Sequence, residues 1–475
     1  MQLPFLDILK NIGETADALG VEVYVVGGFV RDVMLGRPTK DLDFVSIGAQ
    51  SGIRLAQSVA ERYGVGLAHI HKNFGTAGLH VWSRGKGLEL EFVGARRESY
   101  NHDSRKPMVE DGTLEEDQLR RDFTINAMAI CLNQDRFGVL LDPFNGQGDL
   151  KQGVLRTPLD PAITFSDDPL RMLRAARFSA QLNFRIHETT FAGMKEKAHR
   201  LSIISMERIA DELQKILVSP KPSVGLIPLF QARLLHQFLP ELTDLAGIEN
   251  IEGFKHKDNF YHTLQVVDNL AESVAHRPAE ETRWLRWAAL LHDIGKARTK
   301  RFVQGIGWTF HGHEDKGGRM VPAVFKRLRL PVDERLKYVQ KLVSLHHRPV
   351  ALVDEIVTDS AVRRLLFDAG DDIDDLMTLV RADITTKNPK RAERYLARFD
   401  LVEEKMAIVE EKDRLRNFQP PVDGHEIMET LRLQPGPMVG KIKRAIEEAI
   451  LEGLIPNEHD PAFAYMMQIK DDLLS

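Results

Sequence analysis

Two stretches of this chain concentrate residues that do chemistry on phosphates. In the first, Asp41 and Asp43 are separated only by Leu42 and followed by Phe44-Val45. On a strand, side chains alternate between faces, so both carboxylates project together while Leu42 and Phe44 project toward a core. Convergent carboxylates repel each other unless cations lie between them, so the pair suits a two-magnesium phosphoryl transfer site. Upstream, Gly27-Gly28 ends the apolar run Val21–Val26 and precedes Phe29-Val30-Arg31-Asp32, which reads as strand, tight turn and helix start. Such a turn lets backbone N–H groups approach phosphate oxygens. Arg120-Arg121-Asp122 and Asn126 add guanidinium forks suited to phosphate and a ribose hydroxyl. Asp168, Arg171, Arg174 and Arg177 recur every third residue and are expected along one slowly drifting helix face, where a carboxylate and a guanidinium offer acceptor and donor edges to a base.

The second stretch holds His262, His292-Asp293 and Asp383. Eight of the 17 histidines lie within residues 251–350, an excess that points to a metal or phosphate site. Trp284, Trp287, Ala288 and Leu291 mark the expected buried stripe of a helix that delivers His292-Asp293 at its end, beside Gly295 and Lys296. Imidazole and carboxylate together suit a divalent transition metal that activates water against a phosphate. His311, His313, His346 and His347 are candidates for a second metal position or a phosphate contact.

The elements that must position these groups fall into two regimes. Residues 3–18 read as an amphipathic helix, Leu42–Val45 and Gly87–Val93 as strands, and Ser51–Arg62 as a helix, so roughly the first 155 residues are mixed α and β. From Asp168 onward, apolar spacings of three and four predict an almost wholly helical chain, with breaks at 219–222, near 240–252 and at 419–421. A length of 475 residues suggests about three domains at ~150 residues each. The single cysteine, Cys131, excludes an internal disulfide framework and a cysteine-cluster zinc site. The N-terminus lacks a signal-peptide pattern, and no run approaches the ~18 apolar residues of a membrane span, so a cytoplasmic protein with no membrane partner is expected.

The block GGFVRDVMLGRPTKDLDF (27–44) resembles the head of the class II tRNA nucleotidyltransferase and bacterial poly(A) polymerase family. The resemblance continues through GTLEEDQLRRDFTINAMAI (112–130), DPFNGQGDLKQGVLRT (142–157), DDPLRMLRAARF (167–178), ISMERIADELQKIL (204–217) and a C-terminal block at 423–457. It implies a DNA polymerase β-like α+β head over 1–157, a helical neck and body over 158–250, and a helical tail over 401–475, in a chain that is mainly helical overall. It also implies Asp41 and Asp43 as catalytic Mg²⁺ ligands, with Glu91 a candidate third acid. Gly27, Gly28, Arg31, Asp32, Arg120, Arg121, Asp122, Asn126, Asp168, Arg171, Arg174 and Arg177 fall to nucleotide binding, Asp168 and Arg171 matching the pair that reads the incoming base. Asp167 stands where the family usually has Glu. The order His262, His292-Asp293, Asp383 resembles the HD phosphohydrolase superfamily, implying a 251–400 domain that binds Mn, Ni, Co, Fe or Mg and hydrolyses phosphate esters.

The expected activity is untemplated addition of CCA to a tRNA 3′ end from CTP and ATP, with no obligatory protein partner. The rival readings are a poly(A) polymerase, an A-only or CC-only enzyme, and an HD phosphohydrolase with an RNA-binding head; a binding-only adaptor leaves two sets of metal ligands without purpose. A net charge of −5 is unpromising for RNA at first sight. Residues 171–208, however, carry eight Lys/Arg against three acids, while the acidic run 368–375 offsets the total. Binding should therefore be salt-sensitive and local to one face.

Overall fold

Helix α1 (Leu6–Leu19), stopped by Gly20 in the left-handed region at φ 67°, leads into strand β1 (Val23–Val26), whose four residues are all buried. Gly27 follows with φ 70°, a conformation that favours glycine, and turns the chain into helix α2 (Gly28–Met34). This computed structural model describes residues 3–39, 41–72, 75–83, 85–99, 108–354, 358–386, 388–413 and 419–474. Lys40 and Lys387, inside two of the motif regions above, lie outside the described residues.

The head continues as β2 (Asp41–Ser46), α3 (Ser51–Tyr63), β3 (Leu67–His71), β4 (Thr76–Ser83), β5 (Lys86–Gly94), the ribbon β6 (Arg96–Ser99) with β7 (Met108–Asp111), α4 (Leu114–Leu119), β8 (Ala129–Cys131) and β9 (Leu140–Leu141). Seven strands form one sheet in the order β3-β4-β5-β2-β1-β8-β9, with β2 and β5 parallel and the other neighbours antiparallel. On β2, Leu42 and Phe44 are buried while Asp41 is exposed and Asp43 half-buried, the alternation its pleat dictates. Phe44 stacks on its β5 partner Phe92 at 4.8 Å between centroids. Burying a phenylalanine is worth about 1.5–3 kcal/mol, so this pair pins the β2–β5 register. On the Asp43 face, Tyr24, Val26, Val45, Ala129 and the thiol-bearing Cys131 form a buried cluster. Thr113 and Glu116 close a reciprocal capping box at the start of α4.

The first of two compact units, residues 1–216 with 224–238, is completed by α5 (Gly146–Gln152), α6 (Pro161–Asp167), α7 (Leu170–Leu182), α8 (Glu188–Lys197), α9 (Met206–Leu217), α10 (Ser223–Gln231) and α11 (Leu235–Phe238). Asp168 is not on the expected helix. It lies in extended conformation (φ −134°, ψ 99°) between α6 and α7, and its Oδ1 accepts from Leu170 N at 3.1 Å, because the following Pro169 disfavours a helical residue before it.

The second unit, residues 217–223 with 239–475, contains α12 (Pro240–Thr243), α13 (Asn259–Ser273), α14 (Arg283–Leu291), α15 (Lys296–Thr299), α16 (His313–Arg327), α17 (Glu334–Leu345), α18 (His347–Asp354), α19 (Asp359–Ala369), α20 (Ile373–Ala382), α21 (Pro389–Asp413), α22 (Gly424–Leu431), α23 (Pro437–Leu451) and α24 (His459–Leu474). The break expected near 240–252 thus holds the short α12 before a two-residue strand at Asn250–Ile251. Helix α14 packs against α13, α17 and α20. Because neighbours surround it, Leu285 to Leu291 are all buried, rather than one stripe, and Trp284 is only half-buried. Arg286 tolerates that interior by donating from Nη1 to the carbonyls of Leu217 at 2.8 Å and Ser219 at 2.7 Å. Among the described residues, no helix is long and apolar enough to cross a membrane.

Candidate active sites

The register pinned by Phe44 and Phe92 has a second consequence on the opposite face. The same parallel pairing sets Asp41 beside Glu89 and Asp43 beside Glu91. Burial pushes the Asp43 carboxyl up to about 6; Arg121 opposes this, and Glu91, Asp41 and Glu89 reinforce it. A site with this much repelling negative charge and only oxygen donors fits hard divalent cations such as magnesium. Glu89 escaped the sequence argument, although its signal was present: Glu-Leu-Glu-Phe on β5 repeats the Asp-Leu-Asp-Phe alternation of β2.

Gly27 belongs to this site for a steric reason. A Cβ there would lie 3.2 Å from Arg121 Nη1 and 3.4 Å from Asp43 Oδ2, in addition to the strain of its positive φ. Gly28 has ordinary space, its nearest contact being Arg31 Nη2 at 3.5 Å. Arg120 and Arg121 both pair with Asp117, at 2.5 and 2.9 Å. Asp117 is fully buried; burial opposes its ionisation, but Arg121 and Arg120 hold it below the usual carboxylate range. It was missed although it sits three and four residues before the two arginines on α4, the helical spacing for ion pairs.

Five of the expected residues form one continuous network. Arg31 pairs with Asp32 at 2.8 Å and donates from Nη1 to Asn126 Oδ1 at 2.8 Å. Asn126 Nδ2 donates to Asp122 Oδ1 at 3.0 Å, and Arg174 Nη2 reaches Asp122 Oδ2 at 2.6 Å. Burial opposes the Asp122 charge, yet Arg174 and Asn126 hold its carboxyl at about 2. Arg177 pairs with buried Glu212 at 3.1 Å, and burial lowers its guanidinium to about 10. Arg31, Arg174 and Arg177 all lie over the ring of Phe178, at 5.0, 5.4 and 4.4 Å. Arg171 donates to the carbonyls of Arg120 at 2.7 Å and Thr164 at 3.3 Å, while Asp168 Oδ2 lies 4.0 Å from Arg208. Phe178, Arg208 and Glu212 lie within the blocks 167–178 and 204–217, but their partners did not show there, because those contacts cross between elements.

In the second unit, His262 from α13, His292 and Asp293 after α14, and Asp383 after α20 converge. His262 Nε2 lies 2.9 Å from Asp383 Oδ1 and 3.6 Å from Asp293 Oδ2; His292 Nε2 lies 3.3 Å from Asp293 Oδ2 and 3.7 Å from Asp383 Oδ1. Asp293 turns its other oxygen, Oδ1, to His313 Nε2 at 3.4 Å and His346 Nε2 at 3.8 Å. His311 and His347 are exposed. The His292, His313 and His346 Nδ1 atoms donate to the carbonyls of Ala289, Phe310 and Val343 at 2.7, 3.0 and 2.7 Å. Carbonyls only accept, so each Nδ1 carries a proton and each Nε2 is the atom turned inward, the one a metal would take in place of a proton. His262 Nδ1 is held by Thr385 Oγ1 at 2.9 Å.

The electrostatics fit a bound divalent cation. His292 Nε2, Asp293 Oδ1 and Asp383 Oδ1 are buried without an aligned hydrogen bond among the described residues. Burial pushes His346 down to about 3, and His292 adds to this. Burial also disfavours the Asp293 carboxylate, but His292 and Lys296 hold it well below its usual range. Lys296 Nζ is 2.6 Å from Asp293 Oδ2. Two residue groups have the geometry of metal sites, His262-His292-Asp293 and Asp293-His313-His346.

Comparisons with known proteins agree with this division of chemistry. Residues 23–156 match the poly A polymerase head domain, 183–245 the probable RNA and SrmB-binding site of polymerase A, and 259–384 the HD domain. The chain is 36% identical to the A-adding tRNA nucleotidyltransferase of Deinococcus radiodurans over 346 residues, 71% of this chain and 75% of that one. It is 34% identical to the multifunctional CCA protein of Pseudomonas paraeruginosa over 367 residues, 72% and 81% of the two chains. In fold it is similar to the Thermotoga maritima CCA-adding enzyme solved in complex with tRNA, with a TM-score of 0.62 at 22% identity, covering 99% of this chain and 96% of that one.

Proposed function

This chain belongs to the tRNA nucleotidyltransferase family, and on that premise we propose that it adds CCA to the 3′ end of tRNA from CTP and ATP without a nucleic-acid template. The observation that carries this reading is the carboxylate face of β2 and β5, where Asp41, Asp43 and Glu91 would hold magnesium. When bound, magnesium would lower the barrier by acidifying the tRNA 3′-hydroxyl and neutralising the triphosphate and leaving pyrophosphate. The chain's own residues supply the orientation. Arg120 and Arg121, preset by Asp117, present donors to phosphate and ribose oxygens, and Gly27 leaves the phosphates room beside Asp43. The Arg31-Asp32-Asn126-Asp122-Arg174 network and the Arg177–Glu212 pair stiffen the nucleotide's surroundings, so Arg174 and Arg177 serve nucleotide binding through their partners. Asp168 and Arg171 read the base edge.

In this reading residues 1–157 are the catalytic head, the 158–250 helices and the 401–475 tail hold tRNA, residues 251–400 hydrolyse phosphate esters, and the enzyme works in the cytoplasm. His262, His292, Asp293 and Asp383 would bind one divalent ion, and His313 and His346 with the shared Asp293 a second. A nitrogen-rich set favours Mn, Co, Ni or Fe over magnesium, and such an ion would activate water and polarise the phosphate. Lys296 fixes Asp293 and offers an ammonium to the phosphate.

A-only addition is the second reading, favoured by the A-adding Deinococcus relative. Labelled CTP with a tRNA that lacks CCA, and labelled ATP with a tRNA that ends in CC, each given to the full chain and its Asp41→Ala variant, test both: CMP incorporation by the parent alone supports CCA addition, and AMP incorporation on the CC end with no CMP incorporation on the other tRNA supports the second reading.

A further inference from the structure

Beside the histidine–aspartate cluster lies a cavity of about 960 Å³, at the upper end of the roughly 300–1,000 Å³ typical of small-molecule sites. His262 and Asp383 line it, and so do Arg391, Tyr395 and Phe399 of α21. Those last three residues lie beyond the HD match, which ends at residue 384, and outside the spacing that marks the metal ligands. The Arg391 guanidinium lies 5.7 Å from the centroid of the Tyr395 ring, and Nη2 is 3.4 Å from its hydroxyl. The ring therefore presets a cation at the cavity wall. Tyr261, one residue before the metal-facing His262, also lines the cavity and is 45% exposed. A metal cluster needs only the scissile phosphate. A void of this size with a preset guanidinium and an accessible aromatic ring suits a larger ester whose remainder carries both an anionic oxygen and a flat ring.

We propose that α21 is the recognition element of the HD site, and that its ligand is a nucleoside phosphate. Arg391 binds an oxygen of a second phosphate, outside the ester that is cleaved, Tyr395 positions Arg391, and the Tyr261 ring stacks on the base. This rests on the reading of the cluster as a metal-dependent phosphate-ester site.

The test uses the full chain carrying Asp41→Ala, so that the head lacks a metal ligand, with Mn²⁺ as the ion and adenosine 3′,5′-bisphosphate as the probe, whose 5′-phosphate remains when the 3′-ester is cleaved. The binding that disappears on adding His292→Ala is assigned to the HD site. Arg391→Ala should weaken that binding, and raise the KM for hydrolysis of the bisphosphate's 3′-ester, on the order of tenfold, the scale of a lost charge-assisted hydrogen bond. Turnover of p-nitrophenyl phosphate, which carries neither a second phosphate nor a nucleoside, should change less than about twofold, and Mn²⁺ stoichiometry should not change, since Arg391 is not a metal ligand. Tyr261→Phe should keep nucleotide affinity and Tyr261→Ala should lose it. Equal effects of Arg391→Ala on both substrates, no effect on either, or no HD-assigned nucleotide binding in the parent would overturn the proposal. If the parent binds the bisphosphate through Arg391 but hydrolyses neither substrate, recognition by α21 stands and the hydrolase reading fails.

Discussion

Asp43 and Glu91 are Cα partners across the parallel β2–β5 pair, and the stacking of the next residues, Phe44 on Phe92, fixes that alignment. A one-residue slip would send every side chain of β2 to the other face. The metal face and the core face of the head are therefore one structural decision. Glu91→Gln keeps the shape and removes the charge, so nucleotide incorporation should fall by about 10–100-fold, the scale seen when a group supporting a metal is removed, with a raised magnesium requirement. Unchanged kinetics would remove Glu91 from the site.

Asp122 and Arg174 make a pH-dependent contribution to stability. The folded pKa, about 2, lies below the ordinary 3.8, so the stabilisation is present in full above about pH 4 and is lost as pH falls toward 2. Nearly two pKa units correspond to about 2 kcal/mol. Asp122→Asn should lower Tm at pH 7, and the gap to the parent should narrow on acidification. A gap that stays constant from pH 7 to pH 3 would contradict this.

Asp293 divides its oxygens between two groups of imidazoles. In the Asp41→Ala background, mass spectrometry or elemental analysis should find two Mn²⁺ per chain, one for each residue group. His346→Ala should retain one, and Asp293→Ala should lose both. Retention of both ions in His346→Ala would eliminate the second position.

Lys195, His199 and Arg233 surround a surface depression in the first unit, within the residues matched to the RNA-binding segment. If they meet tRNA phosphates, tRNA affinity will fall steeply with salt. The slope of log affinity against log salt should flatten by roughly 0.7–0.9 for each contact removed by Lys195→Ala or Arg233→Ala. A slope that does not respond would place the tRNA elsewhere.

What the sequence disclosed follows the range of the interactions involved. Asp41-Leu42-Asp43-Phe44 was legible because strand alternation is local, and the order of His262, His292-Asp293 and Asp383 because metals demand particular donors. The partners of Arg174 and Arg177 were not, since Asp122 and Glu212 reach them from 52 and 35 residues away. Asp168 left the helix because Pro169 follows it, a signal that was present and outweighed by the three-residue spacing. The wall supplied by α21 could not be read at all, for nothing in the spacing of the metal ligands points beyond Asp383.

The decisive measurement gives the purified full chain a tRNA that ends before its CCA and supplies CTP, ATP or both, with product length resolved at single-nucleotide steps. Two CMP additions are expected with CTP alone, one further AMP when both are present, and no addition by Asp41→Ala. Failure to incorporate CMP, whether or not ATP is used, or unchanged extension by Asp41→Ala, would rule out CCA addition by the head.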